Sequence, residues 1–406
     1  LENIFGDNAM KILVINAGSS SIKFQLFEMP EVRVAAKGMV ERIGESEAAL
    51  SYTAGEQSLQ RKVEAHDHQQ AMSVILQVLT DARIGAVKDI REIKAVGHRV
   101  VHGGEEFTGS VKIDDAVLKS VERFADLAPL HNPPNLTGIR AAQKALPHAL
   151  QAACFDTAFH SSIPQTAYLY GLPYEIYETY RVRRYGFHGT SHRYVARRAA
   201  ELMGRDKYDV NLITCHLGNG CSITAVKNGK SVDTSMGMTP LEGVVMGTRC
   251  GDIDPAIVFY LADKGYSLEQ LNDMFNKKSG LLGISGISND MRNLIEHARQ
   301  GHQRAQLAID IFCYRIKKYI GAYTAVLGTL DGVIFTGGIG ENNAMIRRQI
   351  VADLPHLGIE IDAARNEANK PRERLISSER SRAAVYVIPT NEEAAIAADT
   401  YRLIQE

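Results

Sequence analysis

Apolar and polar positions along this chain follow two different periods, and the switches between them mark out its elements. From Lys11 the run Ile12-Leu13-Val14-Ile15 is continuous and apolar, which predicts a buried strand. Gly18-Ser19-Ser20-Ser21 then predicts a turn, and Ile22-Lys23-Phe24-Gln25-Leu26-Phe27 alternates as a half-buried strand does. The product is a hairpin with a small, polar tip. Far downstream Leu212-Ile213-Thr214-Cys215 leads into Gly218-Asn219-Gly220, and Ser222-Ile223-Thr224-Ala225-Val226 leaves toward a turn at Asn228-Gly229. Two copies of strand, tip and strand, about 200 residues apart, predict an internal duplication even though their side chains match poorly.

Further elements follow each hairpin. Ile93 to Val101 reads as a strand, and Val117, Leu118, Val121, Phe124 and Ala125 share one face of a helix opened by Asp114 or Asp115. Ala152 to Phe155 predicts a short strand. In the second half a helix runs from about Gln303 to Leu327 and stops at Gly328, and Gly332 to Thr336 is a strand running into Gly337-Gly338. Ala384 to Ile388 is a final strand, and the last helix begins near Thr390, whose spacing to Glu393 fits a capping box. Alternating strands and helices predict an α/β protein with helix-covered sheets. A chain of 406 residues exceeds what one core supports, so two domains are expected, divided near Asp156 to His160. The expected spans are 10–157 and 158–406, with a C-terminal helix at about 393–405 packing back on the first. Leu1 to Ala9 lack any periodic pattern and are read as a vector remnant outside the fold.

Charge narrows the partners. Lysine plus arginine (46) nearly cancels aspartate plus glutamate (47), so no global field favours nucleic acid or an acidic membrane, and an anionic ligand has to be held locally. The five cysteines, Cys154, Cys215, Cys221, Cys250 and Cys313, are odd in number and lack a C-x-x-C pair, which predicts a reducing, cytoplasmic compartment. No apolar run approaches the length of about 18 residues that spans a bilayer, and no export signal opens the chain.

The candidate chemistry is phosphate chemistry. Both tips combine small residues with free backbone N–H groups, which lets a phosphate approach and be bonded. A tight turn would use the same residues, but two such tips at equivalent places favour function. Lys23 follows the first tip. Gly229-Lys230-Ser231 resembles the end of a Walker A loop, yet Thr224 stands where its first glycine belongs; Gly338-Ile339-Gly340 resembles a dinucleotide fingerprint, but Asn343 replaces the third glycine. Both are set aside. Cations crowd the stretch Arg183 to His192, and His188 and His192 lack the glutamate of a zinc H-E-x-x-H pattern. Gly97-His98-Arg99-Val100-Val101-His102-Gly103-Gly104 and Met246-Gly247-Thr248-Arg249 each set an arginine beside glycines, where its planar fork can reach a carboxylate or phosphate.

These segments, with Asn16-Ala17-Gly18-Ser19-Ser20-Ser21-Ile22-Lys23-Phe24, Phe155 to His160, His216-Leu217-Gly218-Asn219-Gly220, Gly337 to Asn342 and Pro389-Thr390-Asn391-Glu392-Glu393, together resemble the acetate kinase family, over essentially all of Met10 to Glu406. That family lies within the superfamily of actin, hexokinase and the heat-shock chaperone ATPases. The resemblance implies two duplicated actin/hexokinase-like (ribonuclease H-like) domains with a nucleotide cleft between them, and reversible transfer of phosphate from ATP to acetate. It implies magnesium (or manganese) at Asn16 and Glu392, a phosphate-side contact at Lys23, and Arg99 as the clamp on the substrate carboxylate. Asp156 resembles the catalytic aspartate, and His188 and Arg249 the transition-state stabilisers. His216, Leu217, Gly218, Asn219 and Gly220 resemble a nucleotide loop, as do Asp290, Met291 and Arg292, and Gly338, Ile339, Gly340, Glu341 and Asn342. Val101, Leu130 and Pro240 resemble the walls of the small-acid pocket, and a homodimer is implied. A propionate kinase shares nearly all these motifs. A nucleotide-switched actin-like binding protein is the alternative of a different class, and it has no need of a carboxylate clamp.

Overall fold

The apolar runs become the central strands of two sheets in the computed structural model, which describes residues 10–129, 131–368 and 372–406. The readings of Leu1 to Ala9 and of Leu130 therefore lie outside the described residues. The first sheet holds β1 (Met10–Ala17), β2 (Ser21–Met29), β3 (Arg33–Glu41), β4 (Ala48–Ala54), β5 (Gln57–Val63), β6 (Ile93–Val100), β7 (Val111–Lys112) and β8 (Leu150–Phe155), in the order β5-β4-β3-β2-β1-β6-β8-β7. The second holds β9 (Leu212–Leu217), β10 (Cys221–Lys227), β11 (Lys230–Thr234), β12 (Gly332–Thr336), β13 (Arg374–Leu375) and β14 (Ala384–Val387), in the order β11-β10-β9-β12-β14-β13.

The duplication is one of topology. Along β3-β2-β1-β6-β8 the pairings run antiparallel, antiparallel, parallel, parallel. Along β11-β10-β9-β12-β14 they run in the same sequence. Each predicted hairpin is therefore the β1–β2 or β9–β10 pair of its sheet, and the parallel strand beside it arrives through a helical crossover. The chain divides into two compact units, residues up to Ala158 with Asn391–Glu406, and Phe159–Thr390.

In the first unit the alternation of β1 splits two cores. Leu13 and Ile15 face a cluster with Phe24, Leu26 and residues of the helices His68–Leu79 and Asn132–Ala145. Ile12 and Val14 face Phe27, Met29, Cys154 and three residues of the C-terminal helix Glu392–Gln405, namely Ala394, Ile396 and Ala397. A strand covered on both faces has to be apolar throughout, as this one is. In the second unit the helix Gly189–Leu202 packs Val195, Ala196 and Ala199 against Leu212, Val226 and Ile334. The 25-residue helix Gln303–Leu327 buries Ala305, Ala308, Ile309, Phe312, Ile316, Ile320, Tyr323 and Leu327, a stripe of 3.6 period.

One capping assignment is corrected. Asn391, not Thr390, caps the last helix, its side chain accepting from the Ala394 N–H at 3.0 Å. Thr390 has its own N–H bonded to Glu341, and Glu393 is turned toward Lys23, so neither half of the predicted capping box forms. The ribbon β3–β5 went unread because β5 is polar and largely exposed.

Candidate active site

The first unit gathers charge where β1, β6, β8 and the C-terminal helix end. Asn16 is paired with Lys23 across the β1–β2 hairpin, one residue before the tip, so both side chains sit at its mouth. Arg99, near the end of β6, donates from Nε to Asp156 Oδ1 at 3.1 Å and from Nη2 to Oδ2 at 2.5 Å. Asp156 is 1% exposed, directly after β8, where its N–H bonds Val100 O at 3.0 Å. Glu392 Oε2 lies 3.8 Å from Arg99 Nε, and Glu393 pairs with the half-exposed Lys23. The field of Asp156 raises the Arg99 pKa further, so this guanidinium is permanently charged. Burial pushes Glu392 up to about 7, with Asp156 and Glu393 adding to the shift and Arg99 and Lys23 opposing it. Three carboxylates thus share two cations.

The second unit gathers imidazoles beneath its own tip. His188 holds φ at 56°, a strained value for a residue with a side chain, and begins the Gly189–Leu202 helix. Its Nδ1 lies 2.8 Å from Ser222 Oγ, and His192 Nε2 lies 2.7 Å from the same oxygen. Ser222 has one hydroxyl proton for two ring nitrogens, so at least one imidazole donates to it. His192 Nδ1 meets Thr214 Oγ1 at 2.7 Å, and burial holds its pKa well below the usual histidine range. His216 stacks on His188 at 4.2 Å and bonds Ser191 at 2.8 Å. Arg249 stands opposite. Its Nη1 donates to Pro240 O at 2.7 Å, and a methyl group on Gly220 would lie 2.9 Å from its Nη2 and 3.4 Å from His188 Nε2. Position 220 must therefore lack a side chain for these two groups to flank the tip. No carboxylate pairs with Arg249 among the described residues, and burial lowers its pKa.

The remaining loops surround that tip in sequence and in space. Asn219 Oδ1 accepts from Asn289 Nδ2 at 3.1 Å, which ties the tip to Asp290, the cap of the helix Met291–Arg299. Asp290 is engaged by Arg292 through its backbone N–H at 2.8 Å and its Nη2 at 2.6 Å, while Met291 is buried. Gly338, Ile339, Gly340, Glu341 and Asn342 lie in the short helix Gly337–Asn342, which leaves β12 beside the end of β9. Glu341 Oε1 faces inward, accepting from Gly337 N–H at 2.8 Å, Thr390 N–H at 3.2 Å and Thr336 Oγ1 at 3.3 Å.

One cationic cluster read as a candidate serves the scaffold. Arg183 lies 3.5 Å over the Tyr168 ring, and Arg184 bonds the carbonyls of Thr234, Ser235 and Met236 and the carboxylate of Glu242. Val101 is buried one residue beyond the end of β6, so strand alternation from Arg99 does not extend to it; its N–H is held instead by Asn135 Oδ1 at 3.1 Å. Sequence reasoning missed Ser222, Asn132 and Asn135. The run Asn132-Pro133-Pro134-Asn135, two amides around two prolines, was a signal for the latter pair.

Two sheets of one topology, with a small, polar tip in each and, beside the second, a half-buried arginine that no carboxylate meets among the described residues, define a phosphotransferase of the actin/hexokinase-like (ribonuclease H-like) fold. Residues 11–398 match the model of the Acetokinase family. The acetate kinase of Pseudothermotoga lettingae is 52% identical over 397 residues, covering 98% of both chains. The crystal structure of Porphyromonas gingivalis acetate kinase is similar with a TM-score of 0.94 at 46% identity, covering 98% of this chain and 100% of that one. A propionate kinase from Francisella tularensis gives 0.91 at 43% identity, covering 97% and 99%. This chain belongs to the acetokinase family.

The Arg99–Asp156 pair can be weighed by a double-mutant cycle. Arg99→Ala strands a buried carboxylate and is expected to cost about 3 kcal/mol or more. Asp156→Ala costs less, because Arg99 is partly exposed and keeps Glu392 nearby. The double variant should be less destabilised than the sum of the two in urea unfolding; strictly additive losses would show the pair to be uncoupled.

Proposed function

We propose that this chain catalyses reversible transfer of the terminal phosphoryl group of ATP to acetate, giving acetyl phosphate and ADP. The observation that carries this reading is Arg249, a desolvated guanidinium with no carboxylate partner among the described residues, beside His188 and a glycine that leaves room at the tip. Such a group is prepared for negative charge that appears transiently, as on the equatorial oxygens of a phosphoryl group in transfer.

Phosphoryl transfer asks a protein for alignment and charge neutralisation. A carboxylic acid with a solution pKa of about 4 to 5 is already ionised at neutral pH, so the acceptor needs no general base. Asp156 then acts by orienting Arg99, whose Nε and Nη2 it engages, leaving Nη1 to meet the acid's carboxylate. On the first unit Val101 borders the acid's methyl group, and on the second the loops at His216–Gly220, Asp290–Arg292 and Gly338–Asn342 receive the nucleotide.

Magnesium fits the first cluster. Its oxygen donors suit a hard cation, and its three carboxylates, Asp156, Glu392 and Glu393, outnumber the two cations they meet, Arg99 and Lys23. Asn16 and Glu392 would hold the ion directly or through water, with manganese as a substitute. When bound, the ion would neutralise nucleotide phosphate charge. A homodimer is supported by the helix Ala256–Asp263, which buries none of its residues and leaves Phe259 71% and Tyr260 62% exposed. Five free thiols and the lack of any membrane-spanning helix among the described residues support a cytoplasmic location, which fractionation would test.

The deciding experiment is an acyl-phosphate assay across formate, acetate, propionate and butyrate. Acetate should be preferred, because the methyl groups of Val101 would fill the volume that a propionate methyl needs. The margin is that of one methylene, about 1 to 3 kcal/mol or roughly 10- to 200-fold, and Val101→Ala should shift it toward propionate through KM. Equal use of both acids by the unsubstituted enzyme would sink the pocket assignment. Glu392→Ala should raise the magnesium concentration needed for half-maximal rate, and an unchanged titration would reduce Glu392 to a helix-start acid. Phe259→Glu should halve the sedimenting mass, whereas a monomeric parent protein would exclude the proposed interface.

A further inference from the structure

The helix Asn132–Ala145 begins with Asn132-Pro133-Pro134-Asn135, and both asparagines are buried. The prolines suit a first turn, where backbone N–H groups lack intrahelical partners anyway. A buried carboxamide has to satisfy donors and an acceptor together. Asn135 does so between two segments that no β-ladder pair joins at that level among the described residues. Its Oδ1 accepts from Val101 N–H at 3.1 Å, and its Nδ2 donates to Ala17 O at 2.8 Å. The parallel ladder between β1 and β6 ends at the Ile15↔His98 pair. Beyond it the strands carry Asn16, Ala17 and the tip on one side, and Arg99, Val100 and Val101 on the other.

The helix comes close to β1 at the same point. A methyl group on Gly138 would lie 2.4 Å from Ala17 Cβ, so this approach exists only because position 138 has no side chain. Asn132 makes a different set of bonds, exchanging two with the backbone of His102 at 3.1 and 3.0 Å and reaching Val121 O at 3.2 Å. Only Asn135 reaches across to β1.

We propose that Asn135 is a positioning residue that couples the acid pocket to the phosphate and magnesium side of the first unit, by fixing the gap between Val101 and Ala17 where the strand ladder has ended. This rests on the reading of Val101, Asn16 and Lys23 given above. Only an amide can make both bonds. An ionised aspartate still accepts from Val101 but sets a lone pair against the Ala17 carbonyl, and alanine makes neither bond.

Steady-state kinetics of Asn135→Asp and Asn135→Ala, with Ile139→Ala as a control, test the proposal. Ile139 is 1% exposed on the same helix and packs in the core beside Val100, so its truncation lowers stability while leaving both Asn135 hydrogen bonds in place. Both Asn135 variants should raise the KM for acetate by about tenfold, the order expected of a lost buried hydrogen bond, and raise the magnesium requirement with it. Acetate-over-propionate selectivity should fall, while Ile139→Ala changes none of the three. Asn135 variants that behave as Ile139→Ala does, or that move the acetate KM with magnesium unchanged, would overturn the coupling. Hydrogen exchange supplies a reading that needs no variant: saturating acetate should slow exchange at residues 17–21 as well as at 101–104, and slowing confined to 101–104 refutes the link. If the unsubstituted enzyme forms no acyl phosphate, the functional reading fails instead. Exchange in ligand-free Asn135→Asp still decides the link: faster exchange at both segments supports it, and at one or neither refutes it.

Discussion

Arg249 keeps its charge unanswered by any carboxylate among the described residues, and much of the second unit's local structure serves to hold it so. Burying a cation without a counter-ion is costly, and the cost is tolerable only where surrounding dipoles are fixed and the backbone cannot relax away. Pro240 supplies a carbonyl dipole. The loop that carries both residues is braced from below by Arg184 on Glu242, and by Asp252, which bonds Gly243 N–H and Tyr319 Oη at 2.8 and 2.7 Å. In the first unit the opposite solution holds, because Arg99 is already paired with Asp156. The difference matches the two tasks proposed for them. A resting carboxylate can be met by a guanidinium that shares its charge, whereas charge that exists only in a transition state is met best by one that shares it with nothing.

The duplication explains how such different clusters arise from one topology. Each sheet presents an antiparallel hairpin beside a parallel strand, so each has a tip and an adjacent strand end pointing the same way. The first tip was filled with Gly and Ser beside Asn16 and Lys23, and the second with Gly and Asn above three histidines. Helix assignment is exchanged. Gly189–Leu202 follows the last long strand of the first sheet but belongs to the second unit, while Glu392–Gln405 follows β14 but belongs to the first. The first cluster therefore draws on residues near both ends of the chain, and its loop closure makes the first unit complete only when the last helix docks.

What was legible in the sequence was what repeats or what breaks a period. The hairpins were visible because tips of Gly, Ser and Asn interrupt apolar strands, and the helix Gln303–Leu327 because its stripe persists to a terminal glycine. The division was expected near Asp156 to His160; the compact units part between Ala158 and Phe159, and Asn391–Glu406 returns to the first. Ser222 and Asn135 were not legible, since a single buried polar residue carries no period and acquires meaning only from partners 34 and 118 positions away, as Ser222 does with His188 and Asn135 with Ala17. The capping assignment failed for a related reason. Thr390 and Asn391 are both good caps, and the choice was decided by Glu341 and Lys23, 49 and 370 residues distant from their partners.

The size of the acceptor explains why so much of the first cluster is built in advance. Very small ligands bind with at most about 1.5 kcal/mol per non-hydrogen atom, so the four such atoms of acetate can supply only about 6 kcal/mol. Ordering a few residues and desolvating a carboxylate would consume all of that. The acid therefore cannot organise its own pocket. Asp156 orients Arg99 before any ligand arrives, and two buried asparagines hold the backbone at Val101 and His102. ATP offers many more contacts, so binding energy that drives conformational work has to come from the nucleotide side, whose proposed loops run through exposed residues such as Asn219, Gly338 and Asn342. A pocket built in advance for the acid and exposed loops for the nucleotide are then, on the proposed assignment, two consequences of one inequality in ligand size.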